Sequence, residues 1–104
     1  MGLFKKMITV NEGINKCRND KNAELVDIRP KDEYKKGHVP GSINIPLANI
    51  EMIQRRIPSK EKTLYIIGSY KALHRTAVKT LKKMGYQNVI ESGYMEEHHG
   101  FLAK

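Results

Sequence analysis

Hydrophobic positions along the chain change period several times, and each change marks an element. Residues 64–67, Leu-Tyr-Ile-Ile, form a short apolar run that predicts a buried strand. After Gly68 and Ser69 the period lengthens. Leu73, Ala77, Leu81 and Met84 recur at helical spacing, with Arg75, Lys79, Lys82 and Lys83 on the opposite side. Gly85 then stands where a left-handed C-terminal glycine would stop the helix. A strand running through a short loop into a helix aims the loop amides and the helix dipole at one spot, which suits an anion or a thiolate.

The same patterning organises the rest. Residues 7–10 read as a first short strand, while Thr9 and Glu12 have capping-box spacing for a helix through Gly13, Ile14 and Cys17. Residues 23–28, Ala-Glu-Leu-Val-Asp-Ile, predict a second strand. Pro30, Asp32 and Glu33 open a short helix that ends at Gly37. His38-Val39-Pro40-Gly41 is a turn signal, with Gly37 or Gly41 or both expected at positive φ. A third strand over residues 42–45 is closed by Pro46. Ile50, Ile53 and Ile57 define a helix over residues 49–57 with Pro58 as its stop. Residues 88–91 predict a fifth strand, and residues 94–99 a short polar helix or turn. Strands alternating with helices across short connections argue for one α/β domain over residues 1–104, with a mostly parallel sheet covered on both faces. In such a sheet the site lies at the carboxyl ends of the strands, where Asp27, Arg29, His38 and the loop from Gly68 can converge.

Composition narrows the function classes. The 104 residues allow a core burying roughly 60–70% of the unfolded chain's surface. No apolar run approaches the ~20 residues of a membrane span, and residues 1–10 have no apolar stretch long enough for a secretory signal. The single cysteine, Cys17, allows no internal disulfide, and a cytoplasmic location is expected. The net charge of +8 raises the question of nucleic acid. The basic residues are instead spread from Lys5 to Lys104, interleaved with acids and without an aromatic stacking pattern, so a solvated basic surface is the expectation. His98 and His99 are adjacent and would point about 100° apart in a helix. Even with Glu96 and Glu97 nearby they complete no ligand spacing, so neither a metal nor a cofactor is expected.

Residues 25–47 carry a dense set of motif positions. Asp27, Arg29, Glu33, Tyr34, Gly37, His38, Pro40, Gly41, Asn44, Ile45 and Pro46 together resemble the first signature of the rhodanese-like domains. Residues 81–86, Leu-Lys-Lys-Met-Gly-Tyr, resemble the end of that family's active-site helix. Gly93, Met95 and Gly100 are similar to its closing motif. The resemblance runs from about Thr9 to Gly100 and implies a three-layer α/β/α fold around a mostly parallel five-stranded sheet. Independently of the family, Arg29 and Glu33 are spaced for a charge pair, Asp27 can accept loop amides, and His38 can hold a loop carbonyl. These four are read as scaffold rather than chemistry.

The resemblance also implies a persulfide carried on a loop cysteine, within the pattern C-x-x-G-x-R-[ST]. That chemistry needs a thiolate steadied by loop amides. Counted back from residues 81–85, the cysteine position holds Gly68, the glycine Lys71, the arginine Leu73 and the Ser/Thr His74. Tyr94 and His98 replace the second glycine and the tryptophan of the closing motif. Glycine has no side chain, so no catalytic residue is expected. Ser69 has no evident base, and Cys17 belongs to the first helix. The leading expectation is an inactive rhodanese-like module that binds a protein partner or a small anion. The binding surface would be a remnant cradle of Gly68, Ser69, Tyr70, Lys71, Ala72, Leu73, His74 and Arg75, with Lys71, His74 and Arg75 supplying positive charge. Two alternatives stand beside it: sulfur transfer through Cys17 or a partner's thiol, and a basic adaptor for nucleic acid or an acidic protein.

Overall fold

The computed structural model describes residues 7–70 and 74–104. Its elements run α1 (Val10–Arg18), β1 (Ala23–Asp27), α2 (Lys31–Lys36), β2 (Ile43–Asn44), a 3-10 segment (Leu47–Met52), α3 (Ile53–Arg56), β3 (Thr63–Gly68), α4 (His74–Lys83), β4 (Asn88–Tyr94) and a last 3-10 turn (Met95–Glu97). The strands form one parallel sheet in the order β2-β1-β3-β4. This is the parallel α/β arrangement that the sequence predicts, with four strands among the described residues where five were expected. Residues 7–9 are not a strand, although the Ile8 N–H donates to the Glu91 carbonyl at 3.1 Å. Thr9 instead caps α1, its hydroxyl accepting from the Glu12 N–H at 3.2 Å while Glu12 accepts from the Thr9 N–H at 3.1 Å. Those bonds turn the chain into the helix before a strand can extend.

Alternation along β3 divides the core between the two faces. Leu64 and Ile66 join Val26, Ile28, Ile50, Ile53, Ile57, Ala77, Leu81 and Tyr86 on one side. Tyr65 and Ile67 join Val10, Ile14, Leu25 and Val39 on the other. The predicted helix over 49–57 is divided, because Asn49 takes a non-helical conformation (φ −122°, ψ 33°), yet Ile50, Ile53 and Ile57 all reach the core. At the end of α4, the Gly85 N–H bonds to the Lys82 carbonyl and the Tyr86 N–H to that of Leu81, with Gly85 at φ +103°. This is the left-handed stop that the sequence calls for. Lys60 donates to the Met84 carbonyl at 2.8 Å and lies 4.3 Å over the Tyr86 ring, placing a cation at the helix's negative end.

Candidate functional site

Two clusters occupy the carboxyl ends of the strands. The first is built on Asp27, the last residue of β1 and fully buried. Its carboxylate accepts from the Arg29 N–H (3.0 Å), from Arg29 Nε (3.0 and 3.1 Å) and from Arg29 Nη2 (2.9 Å). Arg29 Nη2 also donates to the Gly37 carbonyl at 2.8 Å. The expected Arg29–Glu33 pair is therefore replaced. Arg29 precedes α2, whose N-cap is Pro30, so helical i,i+4 geometry never applies to it. A buried carboxylate needs a partner, and the guanidinium folds back to supply one. Asn44 ties the same loop by donating to the Asp27 carbonyl at 3.0 Å and the Arg29 carbonyl at 2.9 Å. His38 behaves as scaffold. Its Nδ1 lies 2.9 Å from the Tyr34 carbonyl, which makes Nδ1 the protonated nitrogen, and its ring stacks on Tyr34 at 3.8 Å. Of the two turn glycines, Gly41 has φ +87° while Gly37, at φ 166°, is extended.

The second cluster surrounds the loop after β3. Gly68 pairs with Tyr94 at the end of the sheet, and Gly68 and Ser69 are buried. Tyr70 is 60% exposed, and its N–H donates to both carboxylate oxygens of Glu96, at 3.1 and 3.2 Å. The Tyr70 phenol donates to Glu97 Oε2 at 3.0 Å, which raises its pKa. The Tyr94 ring lies 4.9 Å from the rings of both Tyr70 and His74. A reciprocal pair of bonds between the Asn11 side chain and the His99 backbone pins the segment beyond Glu97 to α1. Lys71, Ala72 and Leu73 lie outside the described residues. Arg75 is exposed at the start of α4.

His74 differs from the expectation. It is 5% exposed, and its Nε2 lies 2.9 Å from the Gly93 carbonyl, so Nε2 carries the proton and Nδ1 a lone pair. Among the described residues Nδ1 is buried without a hydrogen-bond partner. Burial lowers the His74 pKa from its ordinary 6.5, against the opposing pull of the Gly93 carbonyl, Glu91 and Glu96. His74 is thus a neutral group beneath the loop, not one of its cations. With the folded pKa below the unfolded one, its contribution to stability is complete above about pH 6.5 and is lost as the pH falls. His98, whose pKa burial also lowers, contributes in the same direction. The urea midpoint should therefore drop between pH 7 and pH 5. His74→Leu should flatten that slope, and an unaltered slope in this variant would refute the assignment.

Sequence reasoning missed Tyr94, Glu96 and Glu97. The signal was present, because the closing motif is altered where Tyr94 stands and two carboxylates follow at once. Among the described residues no group of three or more His, Cys, Asp or Glu side chains gathers to hold a metal ion, and no helix is long and apolar enough to cross a membrane.

Compared with known proteins, residues 9–96 match the Rhodanese-like domain family. This chain belongs to that family. Thiosulfate sulfurtransferase PspE of Escherichia coli is 32% identical to it over 73 residues, 69% of this chain and 70% of PspE. The adenylyltransferase and sulfurtransferase uba4 of Ogataea parapolymorpha is 39% identical over 67 residues, 64% of this rhodanese-like chain but only 17% of that protein. In architecture, the crystal structure of SSP1007 from Staphylococcus saprophyticus superposes with a TM-score of 0.73 at 26% identity, covering 96% of this chain and 100% of the other. Rhodanese-like architecture and sulfurtransferase relatives thus stand together, with Gly68 ending β3 just before the loop.

Proposed function

We propose that this chain is a cytoplasmic rhodanese-like module that has lost sulfurtransferase activity and works by binding a protein partner or a small anion. What supports the reading is Gly68, the last residue of β3, which the motif spacing aligns with the family's cysteine, where the chemistry requires a thiolate. Cys17 offers no substitute. It is half-buried on α1 beside Ala23, Glu24 and Leu25, at the opposite end of β1 from the loop. Burial, reinforced by Glu24 and Asp20, pushes its thiol up from 9.0, away from the thiolate form. The Glu96 carboxylate on the Tyr70 N–H favours a protein partner over an anion, since an anion there must first displace it.

The purified protein should show no thiosulfate:cyanide sulfurtransferase turnover above a heat-denatured control, and no added sulfur on Cys17 by mass spectrometry after thiosulfate. Clear turnover would overturn the reading in favour of the second one, sulfur transfer through Cys17 or a partner's thiol, which the sulfurtransferase relatives favour. Gly68→Cys should leave turnover about a hundredfold or more below that of an active family member, because the loop amide that would steady the persulfide already serves Glu96. Gly68→Cys combined with Glu96→Gln should recover part of that deficit.

A further inference from the structure

A cleft of about 530 Å³ lies away from the loop, between α2, the strand β2 and the end of α3. Among the described residues its charged lining is Lys31, Lys35 and Arg56, with no carboxylate. Among the described residues the ion pairs are Arg29–Asp27 and Lys62–Glu24, so none of these three cations is neutralised by a salt bridge. Lys31 and Lys35 sit one turn apart on the same face of α2, as does Tyr34, whose hydroxyl donates to the Ser42 carbonyl. Two like charges at i,i+4 repel, a cost to the helix that carries them. An anion between them would turn that cost into attraction.

The floor of the cleft is a sheet edge. In the order β2-β1-β3-β4, β2 has a neighbour on one side only among the described residues. Ile43 is in register with Val26 and Asn44 with Asp27, and the Ile45 N–H donates to the Asp27 carbonyl. Alternation along the strand then turns the backbone N–H and C=O of Asn44 outward, away from β1. An unpaired edge of this kind accepts an added strand. The spacings agree as well. Alternate side chains of an extended peptide repeat about every 6.6 Å, against about 5–6 Å between Cβ atoms one helical turn apart. Two carboxylates on alternate peptide residues can therefore face Lys31 and Lys35 together.

We propose that this cleft docks an extended acidic segment of a partner protein, laid along the β2 edge with its carboxylates on Lys31, Lys35 and Arg56. The site is independent of whatever the loop after β3 binds. The net charge of +8 favours approach of such a partner, and the short edge makes the contact salt-sensitive.

Titration of the ¹⁵N-labelled protein with the capped peptide Glu-Val-Glu-Val-Glu tests this directly. Saturable shifts at the Ile43 and Asn44 amides are expected, with little response to the Gln-Val-Gln-Val-Gln counterpart. Affinity should fall several-fold between 50 and 200 mM salt, and about tenfold or more in Lys35→Glu/Arg56→Glu. A matched thermal midpoint would verify that this variant is folded. Lys82→Glu/Lys83→Glu, on the far end of α4, should bind within twofold of the parent. Equal response to the glutamine peptide, no saturable shift, or shifts confined to residues 68–75 and 94–97 would overturn the proposal. So would displacement of the peptide by inorganic phosphate at equal concentration, or tighter binding of a single-stranded oligonucleotide to the same residues.

Discussion

Arg29→Ala should cost about 3–5 kcal/mol of stability, because it strands a buried carboxylate. The Arg29 and Asp27 side chains are 10% and 1% exposed, and the guanidinium contributes several donors to one acceptor group plus a bond to the Gly37 carbonyl. Removing it leaves Asp27 charged in the interior with, among the described residues, only the backbone N–H of residue 29 as donor. For a domain with a total of roughly 5–15 kcal/mol, that loss should lower the melting temperature by more than about 10 °C. The double variant Asp27→Ala/Arg29→Ala should be less destabilised than the sum of the two single ones, since the stranded charge leaves with its partner. Two controls sharpen the test. Breaking the Lys62–Glu24 pair, whose side chains are 30% and 27% exposed, should cost at most about 1 kcal/mol. Glu33→Ala, at the position that sequence spacing would pair with Arg29, should lie within about 0.5 kcal/mol of the parent. A large loss from Glu33→Ala with a small one from Arg29→Ala would reverse the assignment.

Local chemistry explains what could be read from the chain. Thr9 and Glu12 cap α1, Gly85 ends α4 in a left-handed turn, and Ile50, Ile53 and Ile57 face the core despite the break at Asn49. Each depends on residues a few positions apart, and the order of such signals suffices for a parallel α/β fold. The failures were long-range. Nothing within residues 27–33 says whether Arg29 turns forward to Glu33 or back to Asp27, because the decision follows from Asp27 being buried at a strand end. Likewise, His74 in a basic stretch reads as a cation, and only its burial beneath the loop, where its ring N–H donates to the carbonyl of Gly93, 19 residues away, keeps it neutral. The match of the Tyr70 amide with Glu96 spans 26 residues and joins two motifs that are separate along the chain. The antiparallel bridge between His38 and Ala103 joins two distant parts of the chain in the same way.

Gly93→Ala should be damaging for a reason that reaches both the fold and the site. Gly93 sits at φ +78°, and a Cβ there would lie 2.6 Å from the Val10 nitrogen, 3.1 Å from the Thr9 carbonyl carbon and 3.3 Å from the Ile8 oxygen. All three are backbone atoms at the start of α1, so no side chain can swing aside. Left-handed strain of about 1–2 kcal/mol adds to an overpacking cost of about 1–3 kcal/mol, giving an expected loss of about 2–5 kcal/mol. Gly41→Ala separates the two terms, since Gly41 has φ +87° but nothing within 4 Å of where the added methyl would stand, and should lose only the backbone part. Gly13→Ala isolates the other. Its Cβ would meet Ser92 Cβ at 2.6 Å, a side-chain clash that Ser92→Gly should relieve. Gly93 also presents the carbonyl that holds the His74 ring, so a shifted strand end should loosen the start of α4. In urea titrations with amide exchange, Gly93→Ala should lower the midpoint well beyond Gly41→Ala and speed exchange in the first turn of α4. Equal midpoints for the two alanine variants would mean that β4 can move away from α1, and that the close approach at Gly93 does not hold the site together.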